Sequence, residues 1–183
     1  KQVVPPTPPT PPQPTESRRP KWLWALALMP LLLVCLWFGL RGKTYQVGDY
    51  YDDGVKQGVV FEVDESGRHG KIVSLDEADL QWCSEEEFDR DVETEATDKI
   101  NGRNNQLRIE KIADWRTKYP AFAWCANQGE GWYLPSLNEV KTIFRVKDMV
   151  DKTLEKMSSD KIRTDWYWSS TEEDKFCAWG VNM

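Results

Sequence analysis

The pattern of apolar and polar positions divides the chain into one long uncharged run and a series of short mixed elements. Residues 22–40 (WLWALALMPLLLVCLWFGL) carry no charged side chain. As a helix this run reaches about 28 Å, close to the roughly 30 Å hydrocarbon core of a bilayer. Trp22, Trp24 and Trp37 lie near its ends, where tryptophans anchor membrane helices. We predict a single transmembrane helix over 22–40; a buried globular helix, the alternative, usually carries a polar stripe.

Beyond the apolar run, short β-rich stretches alternate with turn residues. Residues 58–64 (GVVFEVD) and 70–75 (GKIVSL) flank the connector ESGRH at 65–69, which is typical of a β-hairpin. Residues 84–99 are acidic and poor in large apolar side chains. We predict a loop there that holds one helical turn at most.

One helix is predicted over residues 104–119, and Pro120 bounds it. Its apolar positions recur at near-helical spacing, at Leu107, Ile109, Ile112 and Trp115.

A second helix is predicted to begin near Leu137. Ser136 and Glu139 stand three residues apart before an apolar run, which is the pattern of a capping box. Helical spacing continues to a break at residues 158–159. The tail alternates again at 166–169 and 176–182, which predicts another hairpin and completes an α+β pattern.

The basic residues beside the apolar run predict its orientation. Arg18, Arg19 and Lys21 precede it, whereas Arg41 and Lys43 follow it. The excess of Lys and Arg on the N-terminal side favours a cytoplasmic N-terminus. We therefore predict a single-pass protein of the cell membrane with residues 44–183 extracytoplasmic, in the periplasm or at the surface. The apolar run is longer than the core of a signal peptide, and no small-residue cleavage site follows it.

Residues 1–21 are predicted to be a proline-rich, disordered cytoplasmic tether. Seven of the first fourteen residues are proline, a composition that samples extended polyproline II and builds no core. The alternative is a ligand for a proline-binding module, since prolines recur at the required spacing. The printed chain begins at Lys1, which suggests a cytoplasmic module upstream of the tether.

Charge differs sharply between the two parts of the chain. Residues 1–43 hold six Lys and Arg against one Glu, while 44–183 hold 18 against 29 acidic residues. So acidic a segment repels nucleic acid. A cationic partner or a divalent cation suits it, unless the acidic residues form only a solvated surface.

Two motifs resemble those of a bacterial family. Residues 131–139 (GWYLPSLNE) match the pattern GW-x-LP-(S/T)-x-x-E, and residues 167–172 read YWSSTE. Both resemble surface domains grouped with the C-terminal domain of the Legionella collagen-like adhesin and with the Fibrobacter major-paralogous domain. The resemblance covers roughly residues 45–183. It implies a C-type-lectin-like α+β fold on an exported or surface-anchored chain, and it implies little about the ligand.

The chain also departs from the relatives of that family. It lacks the Glu-Pro-Asn or Gln-Pro-Asp loop and the Trp-Asn-Asp strand of calcium-dependent lectins. Formylglycine-generating enzymes need a pair of reactive cysteines near the C-terminus, where this chain has Cys177 alone. The family domain usually continues with another strand, so we expect Met183 to be a truncated end with an unpaired sheet edge.

The residues of the first motif have structural explanations. Gly131 allows a close approach of the chain, and Trp132 and Leu134 are predicted to be core residues. Pro135 ends the extended stretch before the capping box formed by Ser136 and Glu139.

In the second motif, Trp168 is predicted to point inward. Strand alternation places Trp166 on the same face and Tyr167 on the other. The hydroxyl side chains that follow are predicted to bond the local backbone: Ser169, Ser170 and Thr171.

A ligand-binding surface is predicted at the start of the tail hairpin. Trp166 and Tyr167 are successive aromatics, so at least one leaves the face on which Trp168 packs. An exposed aromatic beside Glu172, Glu173 and Asp174 can stack on a sugar ring or a cationic side chain. Alternatively a helix covers the second face and both aromatics are structural.

Catalytic and metal patterns are nearly missing from the sequence. The one histidine, His69, lies in a predicted turn, and the metal-binding spacings of the CxxC or HExxH type do not occur. We predict no catalytic residues, no metal site and no cofactor.

The cysteines of residues 44–183 are odd in number, so one disulfide and one free thiol are expected outside the cytoplasm. Cys125 follows Phe122, Ala123 and Trp124 and resembles a core residue. By elimination Cys83 and Cys177 are the best pair. Three reduced thiols are the alternative.

These patterns predict a membrane-anchored domain that recognises an extracytoplasmic ligand, a glycan or a protein, without catalysis. The alternative is the sensor domain of a transmembrane signalling protein whose cytoplasmic module lies upstream of residue 1. An enzyme related to the formylglycine-generating enzymes is a third reading, disfavoured by the single C-terminal cysteine.

Overall fold

A computed structural model describes residues 42–89, 93–174 and 177–182, without the side chain of Cys177. Apart from Gly42, these residues belong to one compact unit, Lys43–Met183. The predicted tether and the predicted span at 22–40 lie outside the described residues. Among the helices that are described, none combines the length and the apolar character that a membrane crossing needs.

The described part of the chain is mixed α/β with two small antiparallel sheets. The first sheet has the order β1-β2-β3, and β4 pairs with β5 in the second. The strands are β1 (Tyr50–Asp52), β2 (Gln57–Val63), β3 (Gly70–Val73), β4 (Trp166–Asp174) and β5 (Cys177–Asn182). The helices are α1 (Glu85–Asp89), α2 (Gly102–Ile109), α3 (Trp115–Lys118), α4 (Pro120–Asn127), α5 (Leu137–Arg145) and α6 (Lys147–Lys156).

Both predicted hairpins are present. In the β2–β3 turn, the Asp64 carboxylate accepts a hydrogen bond of 2.7 Å from Ser66 Oγ, and Gly67 adopts a positive φ of 70°. The second hairpin differs in extent from the prediction, because β4 runs through Asp174. The acidic residues predicted for its turn are therefore part of the strand.

The single helix predicted over 104–119 is wrong in extent. The chain forms α2, leaves the helix after Ile109 and resumes helical geometry at Trp115. Asp114 precedes α3 in the left-handed region, with φ 59°, which an uninterrupted right-handed helix excludes. Pro120 opens α4, because the first helical turn needs no N–H donor from proline.

The predicted capping box is confirmed. Ser136 Oγ accepts from Glu139 N at 3.4 Å, and Glu139 Oε2 accepts from Ser136 N at 2.8 Å. Helix α5 therefore begins at the predicted residue. Val146, with φ −110°, then separates α5 from α6.

Two apolar clusters hold the unit together, one beside each sheet. In the first, the rings of Trp82, Tyr119 and Phe122 meet edge to face, with centroids 5.3 to 6.1 Å apart. Edge-to-face contacts of this kind add to the gain from burial. The second cluster joins β2 to α5 and α6, through Val59, Phe61, Ile143, Val150 and Leu154.

Candidate functional site

An irregularity in β4 organises the candidate site. Trp168 pairs with Gly180 and Glu172 pairs with Ala178. Three residues of β4 therefore lie opposite Trp179 alone, and the ladder bulges between the two pairs. A bulge bends the strand and interrupts the alternation of side chains. The first half of β4 consequently follows a two-residue alternation and the second half does not.

Trp166 and Trp168 share the solvent-facing side of the first half of β4. Their side chains are 68% and 45% exposed, respectively. The prediction that Trp168 points into the core is therefore wrong, although the prediction that the two share a face is confirmed. Alternation shows which residues lie together, and it does not show which face the rest of the chain covers.

Gly180 lets the Trp166 ring lie close against β5. A Cβ atom at position 180 would stand 3.3 Å from Trp166 Cε3, tighter than an ordinary contact. One side of the indole therefore covers the strand backbone, and most of the remaining surface of the side chain meets solvent.

Tyr167 faces the opposite side and packs against the second apolar cluster. Its hydroxyl donates to Glu77 Oε2 at 2.7 Å and accepts from Arg163 N at 3.0 Å. Burial and the bond to Glu77 raise the pKa of Tyr167 above its ordinary value. Tyr167 is thus half-buried on the side of the strand opposite the two tryptophans.

A groove of about 900 Å³ lies beside this face. It brings together four of the five predicted ligand-binding residues: Trp166, Glu172, Glu173 and Asp174. The fifth, Tyr167, is not among its lining residues. Further walls come from β5 and from α1 with the segment before it, including Trp179, Trp82, Cys83, Glu85, Glu87 and Asp89.

Glu172 is a buried anchor at the edge of the groove. Its carboxylate accepts hydrogen bonds from the backbone N–H groups of Thr94 and Glu95, at 2.9 to 3.1 Å. Burial raises the pKa of Glu172 above its ordinary value, and these bonds oppose the rise. The side chain holds the loop after α1, whereas its neighbour Glu173 is exposed.

The hydroxyl residues of the second motif are fully buried and bond distant parts of the chain. Ser170 N donates to Pro135 O at 2.7 Å, and Ser170 Oγ accepts from Asn105 Nδ2 at 2.9 Å. Thr171 Oγ1 accepts from Leu137 N and donates to Asp98 O. The prediction that the hydroxyls bond the local backbone is wrong for these two, and it is confirmed for Ser169, whose Oγ accepts from Thr171 N at 3.2 Å. Ser169 Oγ donates to Trp179 O across the hairpin at 2.7 Å.

The first motif supports the second. Leu134 is buried as predicted, while Trp132 is only half-buried. Gly131 has a φ of 82°, a conformation that favours glycine. The motif contains Pro135 and Leu137, which hydrogen-bond to Ser170 and Thr171 of β4.

Glu139 is the second buried glutamate of the motifs. It accepts from Ser136 N and Gly102 N, and from Tyr133 Oη at 2.9 Å, and it pairs with Lys71 Nζ at 2.9 Å. Burial opposes ionisation, but the donors outweigh it, so the pKa of Glu139 lies below its ordinary value. Glu139 therefore ties β3 and α2 to the first motif.

Candidate chemistry elsewhere is sparse. His69 is exposed. Among the described residues, no group of three or more His, Cys, Asp and Glu side chains is placed to hold a metal ion. Cys83 is half-buried and Cys125 is buried. The side chain of Cys177 lies outside the described residues, so the Cys83–Cys177 pairing stays a prediction.

Sequence reasoning missed several residues of the groove wall. Trp179 and the acidic side chains of α1 reach the groove only through the tertiary fold. The residues of α1 are distant from β4 in sequence, whereas Trp179 lies across the hairpin from it. The near-continuous acidic run at 85–89 was the one available signal, since it indicates an exposed face.

Comparison of the chain with known protein families, with curated proteins and with solved structures finds no match.

Proposed function

We propose that residues 44–183 form an extracytoplasmic ligand-recognition or adhesion domain, anchored by a helix at 22–40 and without catalytic activity. The observation that carries the proposal is the exposed pair of Trp166 and Trp168 beside the groove. Its membrane location rests on the uncharged run in the sequence.

Large exposed aromatic side chains favour an interaction role. Isolated exposed apolar residues are ordinary, but contiguous apolar patches mark binding sites. Tryptophan offers a large rigid surface for stacking and loses little conformational freedom on binding. Here the two rings stand on one strand face, about 7 Å apart along the strand, and both line the groove.

The strand under the tryptophans is well supported, which favours recognition by a preformed surface. Ser170, Thr171 and Glu172 tie the second half of β4 to α2, to the start of α5 and to the loop after α1, respectively. A site on such a strand needs little ordering when a ligand arrives, and that lowers the free-energy cost of binding. The resemblance of the two motifs to surface domains with a lectin-like fold supports the same function.

The proposal is tested by screening the full chain, purified in detergent, on glycan and peptide arrays. Trp166→Ala and Trp168→Ala are compared with Leu107→Ala, a change on α2 outside the groove at a side chain about as exposed as Trp168. We expect hits that both tryptophan variants lose and the Leu107 variant keeps, with melting temperatures little changed. Hits retained by both tryptophan variants, or no hits at all, would overturn the proposal.

A further inference from the structure

Building on the proposed function, we infer that the groove binds an arginine-bearing segment of a partner protein. In this arrangement a guanidinium group stacks on the face formed by Trp166 and Trp168 and pairs with carboxylates of the groove wall. The inference concerns the chemical class of the ligand, whereas the proposed function requires only a ligand at the tryptophans.

The charge of the groove favours a cationic ligand. Its described lining contains no lysine or arginine. It contains six carboxylates, Glu85, Glu87, Asp89, Glu172, Glu173 and Asp174. Glu87 pairs with Lys118 Nζ at 3.3 Å, and Glu172 binds backbone N–H groups. Three others, Glu85, Asp89 and Glu173, are exposed at the wall. Their combined field attracts a cation.

The exposed tryptophans predict where the cation binds, which is over the face of an indole ring. Trp166 lies against Gly180 on one side and is mostly exposed elsewhere. A cation over an indole face is attracted by the negative face of the ring, and the attraction strengthens as water is excluded. Trp179, a third indole of the lining, already carries Lys99 Nζ 5.2 Å from its ring centre. The groove region thus contains one example of the same interaction within the fold.

Arginine fits this combination better than lysine. Its planar guanidinium stacks on an aromatic face while its edge donates two parallel hydrogen bonds to a carboxylate. The ammonium of lysine is compact and strongly hydrated, so it gains less from stacking. Glu173 lies on the same strand as the two tryptophans. One bound segment can therefore contact both the indole rings and this carboxylate.

A neutral sugar can contact the indole rings favourably but not the acidic wall of the groove. It can stack on the indoles, but its approach removes water from the acidic wall without supplying a positive charge. Carboxylates that lose water without gaining a partner cost free energy. The volume of about 900 Å³ lies at the upper end of small-molecule pockets, which suits a peptide segment of several residues.

The test measures binding of labelled peptides to the full chain by fluorescence anisotropy. Three peptides differ only at two positions, occupied by arginine, by lysine or by citrulline, the uncharged analogue of arginine. We expect binding in the order arginine, lysine, citrulline, with about tenfold between the first and the last. Raising the salt concentration from about 0.1 M to about 1 M, which shortens the Debye length from about 10 Å to 3 Å, should weaken the arginine peptide at least several-fold.

Matched variants locate the binding. Trp166→Ala should weaken the arginine peptide about five-fold or more, and Trp166→Phe should recover most of that loss because a ring face remains. Glu173→Gln should weaken it about two- to five-fold. Glu65→Gln, an equally exposed change in the β2–β3 turn, should leave it unchanged.

The outcomes separate the inference from the proposed function. Tryptophan-dependent binding of neutral glycans without binding of the arginine peptide would overturn the inference and leave the function standing. If the arginine peptide binds and neither Trp166→Ala nor Trp168→Ala weakens it, the peptide binds a diffuse acidic surface. That result would also overturn the inference. If neither class of ligand binds through the tryptophans, both the inference and the proposed function are wrong.

Discussion

Glu172 and Thr94 are joined through both oxygens of one carboxylate: the backbone N–H of Thr94 donates at 2.9 Å to Oε1 and at 3.0 Å to Oε2. Seventy-eight residues separate the two in the chain. Glu172 N in turn donates to Ala96 O at 2.8 Å. The groove-side strand and the loop after α1 are therefore one hydrogen-bonded structure.

Removal of the Glu172 carboxylate should destabilise the domain. Glu172→Ala leaves the buried N–H group of Thr94 without its acceptor, and such losses cost about 1 to 3 kcal/mol. Urea unfolding of the full chain measures the change. Glu173→Ala, the exposed neighbour, is the control and should alter stability by less than about 0.5 kcal/mol. Equal stability of the Glu172 variant and the parent would contradict the anchoring role.

Tryptophan truncation should cost little stability at the exposed face. Trp168→Ala is expected to change the free energy of unfolding by about 0.5 kcal/mol or less, since surface changes create no cavity. Phe122→Ala, at a side chain with no exposed area, should cost about 3 to 5 kcal/mol. The pair is compared by urea unfolding. A Trp168 variant as unstable as the Phe122 variant would place Trp168 in the core after all.

The stability contributed by Glu139 should depend on pH with a defined sign. Its folded pKa lies below the ordinary value of 4.5, so the contribution is present above that pH and is lost as pH falls through the folded value. Glu139→Gln should be less stable than the parent at pH 7 by about 1 to 3 kcal/mol. The difference should narrow as the pH drops below 4.5. The other carboxyl groups titrate in both proteins, so their effects cancel in the comparison. A difference in the free energy of unfolding that stays constant down to acid pH would contradict the prediction.

The topology is tested by reporter fusions. Alkaline phosphatase folds only after export, so a fusion after Met183 should be active if residues 44–183 lie outside the cytoplasm. The basic excess before residues 22–40 is the physical basis of this expectation. An inactive phosphatase together with a fluorescent cytoplasmic reporter at the same position would reverse the orientation.

The cysteines should differ in reactivity. Burial raises the pKa of Cys125 to about 12, so little thiolate forms at pH 8 and alkylation of the native protein should spare it. If Cys83 and Cys177 form the predicted disulfide, both become modified only after reduction. Peptide mass spectrometry measures alkylation at all three cysteines, with and without reductant. Modification of Cys83 in the unreduced native protein would favour reduced thiols.

Local signals in the sequence predicted the elements whose causes are local. The capping box of Ser136 and Glu139 is made within four residues, and the β2–β3 hairpin turns within a few residues of Asp64. Both were therefore predictable from sequence alone. The interruption near Asp114 was not, because apolar spacing continues through it and the backbone there follows from tertiary packing.

The membership of the candidate site was predictable only in part, and its arrangement was not. Alternation placed Trp166 and Trp168 together, and the acidic residues were close in sequence. The burial of Trp168 was predicted wrongly, since one strand does not reveal which of its faces the chain covers. The buried side chains of Ser170 and Thr171 find partners 34 to 73 residues away, and no spacing rule reaches so far.

The bulge in β4 has an evolutionary consequence. Ahead of it, Trp166 and Trp168 face solvent; beyond it, Ser170, Thr171 and Glu172 bond distant parts of the fold. Changes in specificity and changes in stability therefore fall on different residues of a single strand. New ligand preferences can arise by substitution at two positions while the scaffold is inherited intact, which makes this strand a suitable place to graft other recognition side chains.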